Sequence, residues 1–296
     1  MTNAAWRKRM LASVDGVALT VESVWTRHRE DGLAQGGSMQ QLWFNIDGDV
    51  QEFYVPNHVE EVMPGVKWGA PDEFFTPSFW KYQSEAQVRR RRYGKHRLGN
   101  TLLEEIAVCL LGGYGIPAEM GMAAFQRLRS YGTLTGHATE QELLFLLSQP
   151  FEIGGKSRRY RFAAQKASYL ARSLGLARDL DLTLSHRQLR DRLLELPGIG
   201  PKTASWIVRN YLDSDDVAII DVHLQRACVM MNVFEAKSDP AKEYFKLEDL
   251  FLKFAEAIKV RASILDAIIW DFMRRMGPTA RTSAPVTKPA QLLLGF

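Results

Sequence analysis

Two glycines between two helical patterns constrain the fold of this chain more than any other feature of its sequence. The stretch 196–204 reads LPGIGPKTA. Its first proline removes a backbone donor and disfavours helix at the residue before it, and Gly198 and Gly200 permit a tight turn. Apolar residues then recur with the period of an amphipathic helix, at Ala204, Ile207, Val208, Tyr211 and Leu212. The segment is therefore predicted to form a helix, a glycine hairpin and a second helix.

The start of the second predicted helix suits an anion. Glycines leave backbone N–H groups accessible there, and the helix dipole adds about half a positive charge. Lys202 lies in the first turn, where the dipole disfavours a second positive charge and so favours an uncharged amine. An uncharged lysine is a candidate nucleophile. The alternative for a lysine after a glycine turn is a solvated surface charge.

A carboxylate follows the hairpin. Asp221 lies 19 positions after Lys202, directly behind the apolar run 217–220. The helical pattern that begins after it has an apolar face formed by Leu224, Ala227, Cys228 and Met231. Aspartate is a favoured N-cap because its side chain accepts hydrogen bonds from the first N–H groups of a helix. We predict that Asp221 caps this helix, a role that is compatible with catalysis.

The hairpin, the lysine, the spacing and the triplet Asp221-Val222-His223 together resemble the helix-hairpin-helix (HhH-GPD) DNA glycosylase superfamily, and within it the lysine-bearing 8-oxoguanine DNA glycosylase/AP lyases. The resemblance covers roughly residues 100–275. It implies that Lys202 and Asp221 are catalytic. The amine would attack the deoxyribose C1′, expel the base and form an imine that permits β-elimination, while the carboxylate would stabilise the cationic sugar. Such enzymes act on a base extruded from the duplex.

The same resemblance implies how the hairpin region binds DNA. Gly198 and Gly200 would contact the phosphate backbone, and His223 would contact a phosphate, with an ordinary first-turn histidine as the alternative. Main-chain carbonyls of the hairpin would hold a structural monovalent cation, and no other cofactor is implied. Those carbonyls belong to Leu194, Leu196 and Ile199.

Three further residues are assigned to DNA contact. Tyr160 and Arg161 follow two arginines at the start of a helical pattern, and similar family members carry a Tyr-Arg pair there. The resemblance implies that the tyrosine wedges between bases and the arginine reads the orphaned partner base. A core tyrosine is the alternative. The loop 111–117 lacks the amide side chain with which relatives fill the gap left by the flipped base, so Tyr114 is the expected substitute.

Three residues are assigned to a base pocket. Trp206 lies one turn beyond Lys202 on the same helix face, where family members pack a side chain on the extruded base. Asp266 and Trp270 are spaced i, i+4 and so share a helix face, which is similar to the pattern with which archaeal 8-oxoguanine glycosylases hold the base. A core tryptophan and a surface aspartate fit the spacing equally well.

Positive charge is concentrated in one stretch. The 38 Lys and Arg against 34 Asp and Glu give a net charge of only +4, but residues 89–97 read RRRRYGKHR. Such a run binds phosphates with release of counterions, or forms a solvated linker. We expect it to contact DNA.

The cysteines exclude one class of cofactor. Cys109 and Cys228 cannot supply the four thiolates of an iron–sulfur cluster, so no cluster is expected. Both fall on apolar helix faces, as buried free thiols in a reducing cytosol do. The sequence has no 18-residue apolar span and no charged-then-apolar leader. We expect a monomer in the cytoplasm, associated with the nucleoid, or in the nucleus, that is neither secreted nor bound to a membrane.

The chain is expected to be mainly α, or α+β overall, in two parts. Residues 1–97 contain the basic stretch and two β-prone runs around Asp47-Gly48, which predict a β-hairpin. Residues 98–296 carry the helical periodicity of the HhH-GPD glycosylase core, C-terminal helices and an apolar end, 292–296, that we expect to dock.

The resemblance implies a bifunctional DNA glycosylase/AP lyase that excises a damaged purine, with 8-oxoguanine the leading substrate. Its partner would be double-stranded DNA containing a damaged or modified base. Two alternatives stay open. One is an enzyme of the same class acting on another damaged or modified base, and the other is a non-catalytic helix-hairpin-helix module that binds DNA structure.

Overall fold

A computed structural model describes residues 39–90, 96–113 and 115–277. The chain divides into two compact units, one within residues 1–93 and one within residues 94–296. Three sequence predictions fall outside the described residues: Tyr114, the basic positions 91–95, and the apolar end 292–296. The sequence-based boundary after residue 97 remains a prediction.

The first unit contains an antiparallel β-hairpin. Strand β1 (Gln40–Ile46) pairs with β2 (Asp49–Val55) along their whole lengths. The turn places Asp47 and Gly48 at positive φ, 52° and 89°, as a two-residue type I′ turn requires. The predicted hairpin is confirmed. A shorter antiparallel pair, β3 (Glu61–Met63) with β4 (Val66–Lys67), and helix α1 (Pro77–Arg89) follow it.

Aromatic rings pack α1 against this hairpin. Phe44 of β1 stacks on Phe53 of β2 with ring centroids 4.9 Å apart, and on Tyr82 of α1 at 4.8 Å. Leu42 and Phe44 are buried, because alternate residues of a strand point to the same face. The first unit therefore has an apolar core of its own.

The second unit is helical, and the predicted mainly α fold is confirmed. Its helices are α2 (Leu102–Leu111), α3 (Ala118–Ser130), α4 (Glu140–Ser148), α5 (Ala163–Ala177), α6 (His186–Leu193), α7 (Pro201–Leu212), α8 (Val222–Met230), α9 (Pro240–Ala257) and α10 (Ala262–Met276). A short antiparallel pair, β5 (Phe151–Ile153) with β6 (Lys156–Arg158), lies between α4 and α5. None of the helices in the described part of the chain could span a lipid bilayer.

Helix α2 lies at the centre of the second unit. It packs against α3, α5 and α7, and every residue from 105 to 111 is buried. Burial of a leucine or isoleucine side chain contributes about 1.5–3 kcal/mol, so this helix supplies much of the hydrophobic stabilisation. Cys109 of α2 and Cys228 of α8 are buried free thiols, as predicted. Burial raises the pKa of both thiols well above the ordinary value.

A buried carboxylate joins the helices on either side of the glycine hairpin. Glu248 of α9 accepts hydrogen bonds from the guanidinium of Arg190 in α6 and from Ser205 Oγ in α7, the latter at 2.7 Å. It also accepts from the backbone N–H of Ala218 at 3.0 Å. Because the buried charge has these partners, its desolvation is compensated. The result is a fixed relation between α6, α7 and the segment that leads into α8.

Candidate active site

The glycine hairpin joins α6 to α7 by a turn that only glycine fits. Gly198 has φ +80°, and a Cβ atom at this position would lie 2.3 Å from the ring of Tyr169. The turn is closed by a hydrogen bond from Ile199 N to Leu196 O at 3.2 Å. Ser173 Oγ donates to the carbonyl of Pro197 at 2.7 Å. Helix α5 therefore holds the hairpin in place, and the predicted helix, hairpin and helix are confirmed.

The start of α7 is open. Gly200 is the N-cap, Pro201 is the first helical residue, and no side chain caps the helix. The next N–H groups of the first turn have no intrahelical partner, as at any helix start. Nothing lies within 4 Å of the point where a Cβ of Gly200 would be. A phosphate can therefore approach the N-terminus of α7 closely.

Lys202 lies in the first turn of α7 and is exposed. Within residues 96–113 and 115–277, its ammonium forms no ion pair. Its charge nevertheless acts on His223, whose pKa it helps to lower. The lysine is thus near the start of α8 and is not held by a carboxylate that would fix it as a charged group.

Asp221 is the N-cap of α8, which confirms the capping prediction. The side chain is 8% exposed, and its Oδ1 accepts hydrogen bonds from the backbone N–H groups of His223 at 2.8 Å and Leu224 at 2.9 Å. In the described part of the chain, Oδ2 has no hydrogen-bond partner. The carboxylate is therefore fixed by one oxygen and presents the other.

Side chains hold the extended segment in front of Asp221. Three successive backbone N–H groups donate hydrogen bonds to side-chain oxygens instead of to the carbonyls of a neighbouring strand. They belong to residues 218, 219 and 220. Their acceptors are Glu248 Oε1 at 3.0 Å, Asp266 Oδ2 at 3.4 Å and the hydroxyl of Tyr244 at 3.2 Å. Helices α9 and α10 thus position the start of α8, and with it the carboxylate.

His223 lies among positive charges. Burial is the main cause that lowers its pKa below the ordinary value of 6.5, and the charge of Asp221 opposes the shift. The nearby cations also lower the pKa, namely those of Arg226, Lys202 and Arg274. Its Nδ1 is buried and has no hydrogen-bond partner among the described residues. A cluster of cations around a nitrogen that lacks a partner favours an anion such as a phosphate.

The three base-pocket residues differ in exposure. Trp206 is partly buried and packs on the core beside Gly112. Asp266 is buried and forms an ion pair with Arg209. Burial raises the pKa of Asp266 to about 6, against the opposing effect of Arg209. Trp270 is 44% exposed, and the guanidinium of Arg274 lies 4.9 Å from its ring centroid. The alternative of a core tryptophan and a surface aspartate is therefore wrong.

The wedge assignment of Tyr160 is corrected to a core position. The side chain is 4% exposed, and its hydroxyl donates to the carbonyl of Leu111 at 2.7 Å. Burial raises the pKa of this hydroxyl above its ordinary value. A ring enclosed in this way has no free face for a DNA base, which agrees with the core alternative. Arg161 is exposed, with its guanidinium 5.1 Å from the ring centroid of Phe162.

The hairpin carbonyls suit the predicted cation. Backbone carbonyl oxygens are hard ligands, and several from one turn can surround a small cation. The carbonyl of Leu196 accepts one hydrogen bond, from Ile199, and each carbonyl oxygen has two lone pairs. The donor set of residues 194, 196 and 199 thus fits a monovalent cation, whose binding remains a prediction.

Sequence reasoning missed a cavity of about 250 Å³ beside the hairpin. It is lined by Cys109, Leu110, Gly112, Gly113, Ile116, Phe162, Gln165, Lys166, Gly198 and Thr203. One signal could have indicated it. Lys166 lies three positions after Ala163 and four before Leu170, so it shares their apolar face of α5. A charged side chain is unusual on such a face.

The helical fold, the glycine hairpin and the capped aspartate are those of helix-hairpin-helix DNA glycosylases. A family model described as 8-oxoguanine DNA glycosylase matches residues 87–260. The chain belongs to this family.

Two relatives agree with this assignment, and one solved structure shows the same fold. The chain is 31% identical over 202 residues to an 8-oxoguanine DNA glycosylase/AP lyase of Saccharolobus solfataricus, a match that covers 62% of this chain and 91% of the relative. It is 29% identical over 192 residues to the protein of that name from Metallosphaera sedula, covering 62% and 87%. The crystal structure of Methanocaldococcus jannaschii 8-oxoguanine DNA glycosylase aligns with a TM-score of 0.51 at 22% identity, over 66% of this chain and 91% of that one.

Proposed function

We propose that this chain excises 8-oxoguanine from double-stranded DNA and then cleaves the strand at the abasic site, with Lys202 as the nucleophile. The observation that carries the proposal is the meeting of two helix N-termini. One presents an exposed lysine and the other a buried carboxylate with a free oxygen, and both act electrostatically on His223. The curated relatives named 8-oxoguanine DNA glycosylase/AP lyase support the same activity.

The DNA backbone binds at the hairpin. The uncapped N–H groups of α7 at Gly200 and the cations around His223 receive phosphates. The carbonyl-bound monovalent cation would hold the hairpin turn in shape. Because the lesion must be reached by a side chain, the damaged nucleotide is extruded from the stack toward α7 and α8.

The amine nitrogen of Lys202 attacks C1′ of the extruded nucleotide. The C1′–N9 bond breaks, its electron pair leaves with the purine, and the purine takes up the proton that the attacking nitrogen releases. After the sugar ring opens, the nitrogen and C1′ form an imine. Loss of a proton from C2′ then expels the 3′ phosphate, and the strand is cleaved by β-elimination.

Asp221 stabilises the positive charge that develops on the sugar. Its Oδ1 is held by two backbone N–H groups, so the carboxylate does not reorganise during the reaction, and Oδ2 faces the charge. Trp206 provides a flat apolar surface for the purine. Trp270 adds an exposed ring, and Arg161 an exposed cation for the DNA.

A panel of duplexes tests the substrate. Each carries one lesion opposite cytosine: 8-oxoguanine, uracil, an oxidised pyrimidine, a methylated purine or a preformed abasic site. Release of 8-oxoguanine at least tenfold faster than any other base supports the proposal. Preferred release of another base would support the first alternative. Tight binding of the abasic duplex with no release of any base would support the non-catalytic module.

A further inference from the structure

The segment in front of Asp221, residues 217–220, is buried backbone outside any regular element. Val217, Ala218 and Ile220 are buried, and the segment belongs to neither a helix nor a strand. Buried backbone N–H and C=O groups need hydrogen-bond partners, so side chains must supply them here. The place of the Asp221 carboxylate therefore depends on the side chains that hold this segment.

Tyr244 of α9 holds this segment at two points. Its hydroxyl accepts a hydrogen bond from the backbone N–H of Ile220 at 3.2 Å and donates one to the carbonyl of Ala218 at 2.9 Å. A hydroxyl can do both at once. Tyr244 is 6% exposed, and burial is the main cause that raises the pKa of its hydroxyl above the ordinary value of 10. The proton needed for donation therefore stays in place, next to the residue that directly precedes Asp221.

Glu248 joins the same segment to α7, the helix that carries Lys202. Glu248 is 1% exposed, and its Oε1 accepts hydrogen bonds from Ser205 Oγ of α7 at 2.7 Å and from the backbone N–H of Ala218 at 3.0 Å. Hydrogen bonds to a charged group in a buried environment of low dielectric are strong. One carboxylate oxygen thus connects the helix of the amine to the segment that leads to the aspartate.

Asp266 of α10 forms a second connection of the same kind. Its Oδ1 accepts from the guanidinium of Arg209 in α7, and its Oδ2 accepts from the backbone N–H of Ile219 at 3.4 Å. Ser205 and Arg209 are spaced i, i+4, so they share one face of α7. Both connections therefore leave α7 from one face and reach neighbouring residues of the segment. Linked contacts in a packed interior resist small displacements.

We propose that Tyr244 is a positioning residue for base release, whose hydroxyl fixes the place of Asp221 relative to the amine of Lys202. The inference rests on the proposed function, because it concerns the step in which Asp221 stabilises the cationic sugar. That stabilisation depends on an oxygen that is held in place before the charge develops. Two backbone N–H groups tie Oδ1 to the start of α8, so the carboxylate moves with that helix end. Tyr244 acts on the reaction by holding this helix end in a fixed relation to α7.

Tyr244→Phe keeps the ring and removes only the hydroxyl. In single-turnover reactions at saturating protein, base release from an 8-oxoguanine duplex should slow about tenfold, because a small misplacement of the carboxylate reduces transition-state stabilisation. The Kd for a lesion-free duplex, set at the hairpin and by the cations around His223, should change by less than about twofold. Leu143→Val shortens a buried side chain of α4 and is the matched control. It should lower the midpoint of thermal unfolding and leave the rate and the Kd unchanged.

A double-mutant cycle distinguishes positioning of the carboxylate from general loosening of the fold. In the Asp221→Asn background no carboxylate charge is left to be placed. Adding Tyr244→Phe there should slow the residual base release by less than about twofold, against about tenfold in the wild-type background. Ser205→Ala removes the α7 end of the connection through Glu248. It should show the same dependence on Asp221, with a smaller slowing in the wild-type background.

Two results would overturn the proposal. A wild-type rate of base release from Tyr244→Phe would mean that the hydroxyl serves stability alone. Equal slowing of the wild-type and Asp221→Asn backgrounds by Tyr244→Phe and by Ser205→Ala would mean that these contacts act on the reaction without Asp221. Failure of the proposed function gives a different result, because the wild-type protein itself would then release no base from the duplex.

Discussion

The ring of Tyr169 occupies the space that a side chain on Gly198 would need. A Cβ added at Gly198 would lie only 2.3 Å from that ring, and the residue has φ +80°. Gly198→Ala must therefore strain the backbone or displace the tyrosine. We expect a loss of about 1–3 kcal/mol in the free energy of unfolding and weaker binding of DNA. Denaturant unfolding measures the first and fluorescence anisotropy the second.

Gly200→Ala is the matched control for this variant. Its φ is −98° and nothing lies within 4 Å of the added Cβ. Only the N-cap preference is lost, so the change in stability should be about 1 kcal/mol or less. Equal destabilisation by the two substitutions would contradict the role assigned to Tyr169.

Asp221→Asn should separate catalysis from stability. Asparagine caps a helix about as well as aspartate, so the free energy of unfolding should change by less than about 0.5 kcal/mol. Loss of the negative charge should slow base release by about 100-fold or more. Asp221→Ala should lose both the activity and about 1 kcal/mol of stability. Single-turnover kinetics and denaturant unfolding of both variants provide the comparison. A fully active Asp221→Asn would remove the carboxylate from the mechanism.

The ion pair between Arg209 and Asp266 should be costly to break from one side. Arg209→Met leaves a buried carboxylate without its partner, and we expect a loss of about 3–5 kcal/mol in the free energy of unfolding. Arg192→Met removes one partner of an exposed pair with Glu195 and should cost less than about 1 kcal/mol. The double variant Arg209→Met, Asp266→Leu should recover part of the loss. Similar losses in the free energy of unfolding for Arg209→Met and Arg192→Met would show that the buried pair is not needed for stability.

His223 should make stability depend on pH in a known direction. Its pKa in the folded protein lies below the ordinary value of 6.5, chiefly because of burial. The unfolded chain therefore binds the proton more readily than the folded protein does. The stabilising contribution of the neutral histidine to the free energy of unfolding is present above about pH 6.5 and is lost as the pH falls. When the pH is lowered from about 7.5 to about 5, the free energy of unfolding should fall less for His223→Gln than for the wild type. Identical pH profiles from denaturant unfolding would contradict the shift.

The sequence predicted what depends on neighbouring residues. The hairpin turn and the cap at Asp221 are set by glycine φ angles and by short-range hydrogen bonds, which residue types report directly. The β-hairpin at Asp47-Gly48 is another such case. These features define the candidate site closely enough to place its amine and its carboxylate.

What the sequence did not reveal depends on residues far apart in the chain. Tyr160 is buried because its hydroxyl reaches Leu111, 49 positions away. Asp266 is paired with Arg209 at a separation of 57 positions. The cavity at Lys166 arises where α2, α5 and the hairpin meet. Such contacts are properties of packing, and helical periodicity shows only that a face is buried, not which partner covers it.

Borohydride trapping on a duplex containing 8-oxoguanine tests the nucleophile most directly, because reduction converts the imine into a permanent bond between protein and DNA. The wild type and Lys253→Gln, which removes an exposed lysine of α9, should both give a covalent adduct. Lys202→Gln should give none while still binding the duplex. An adduct of wild-type yield from Lys202→Gln would contradict the assignment of Lys202 as the attacking amine.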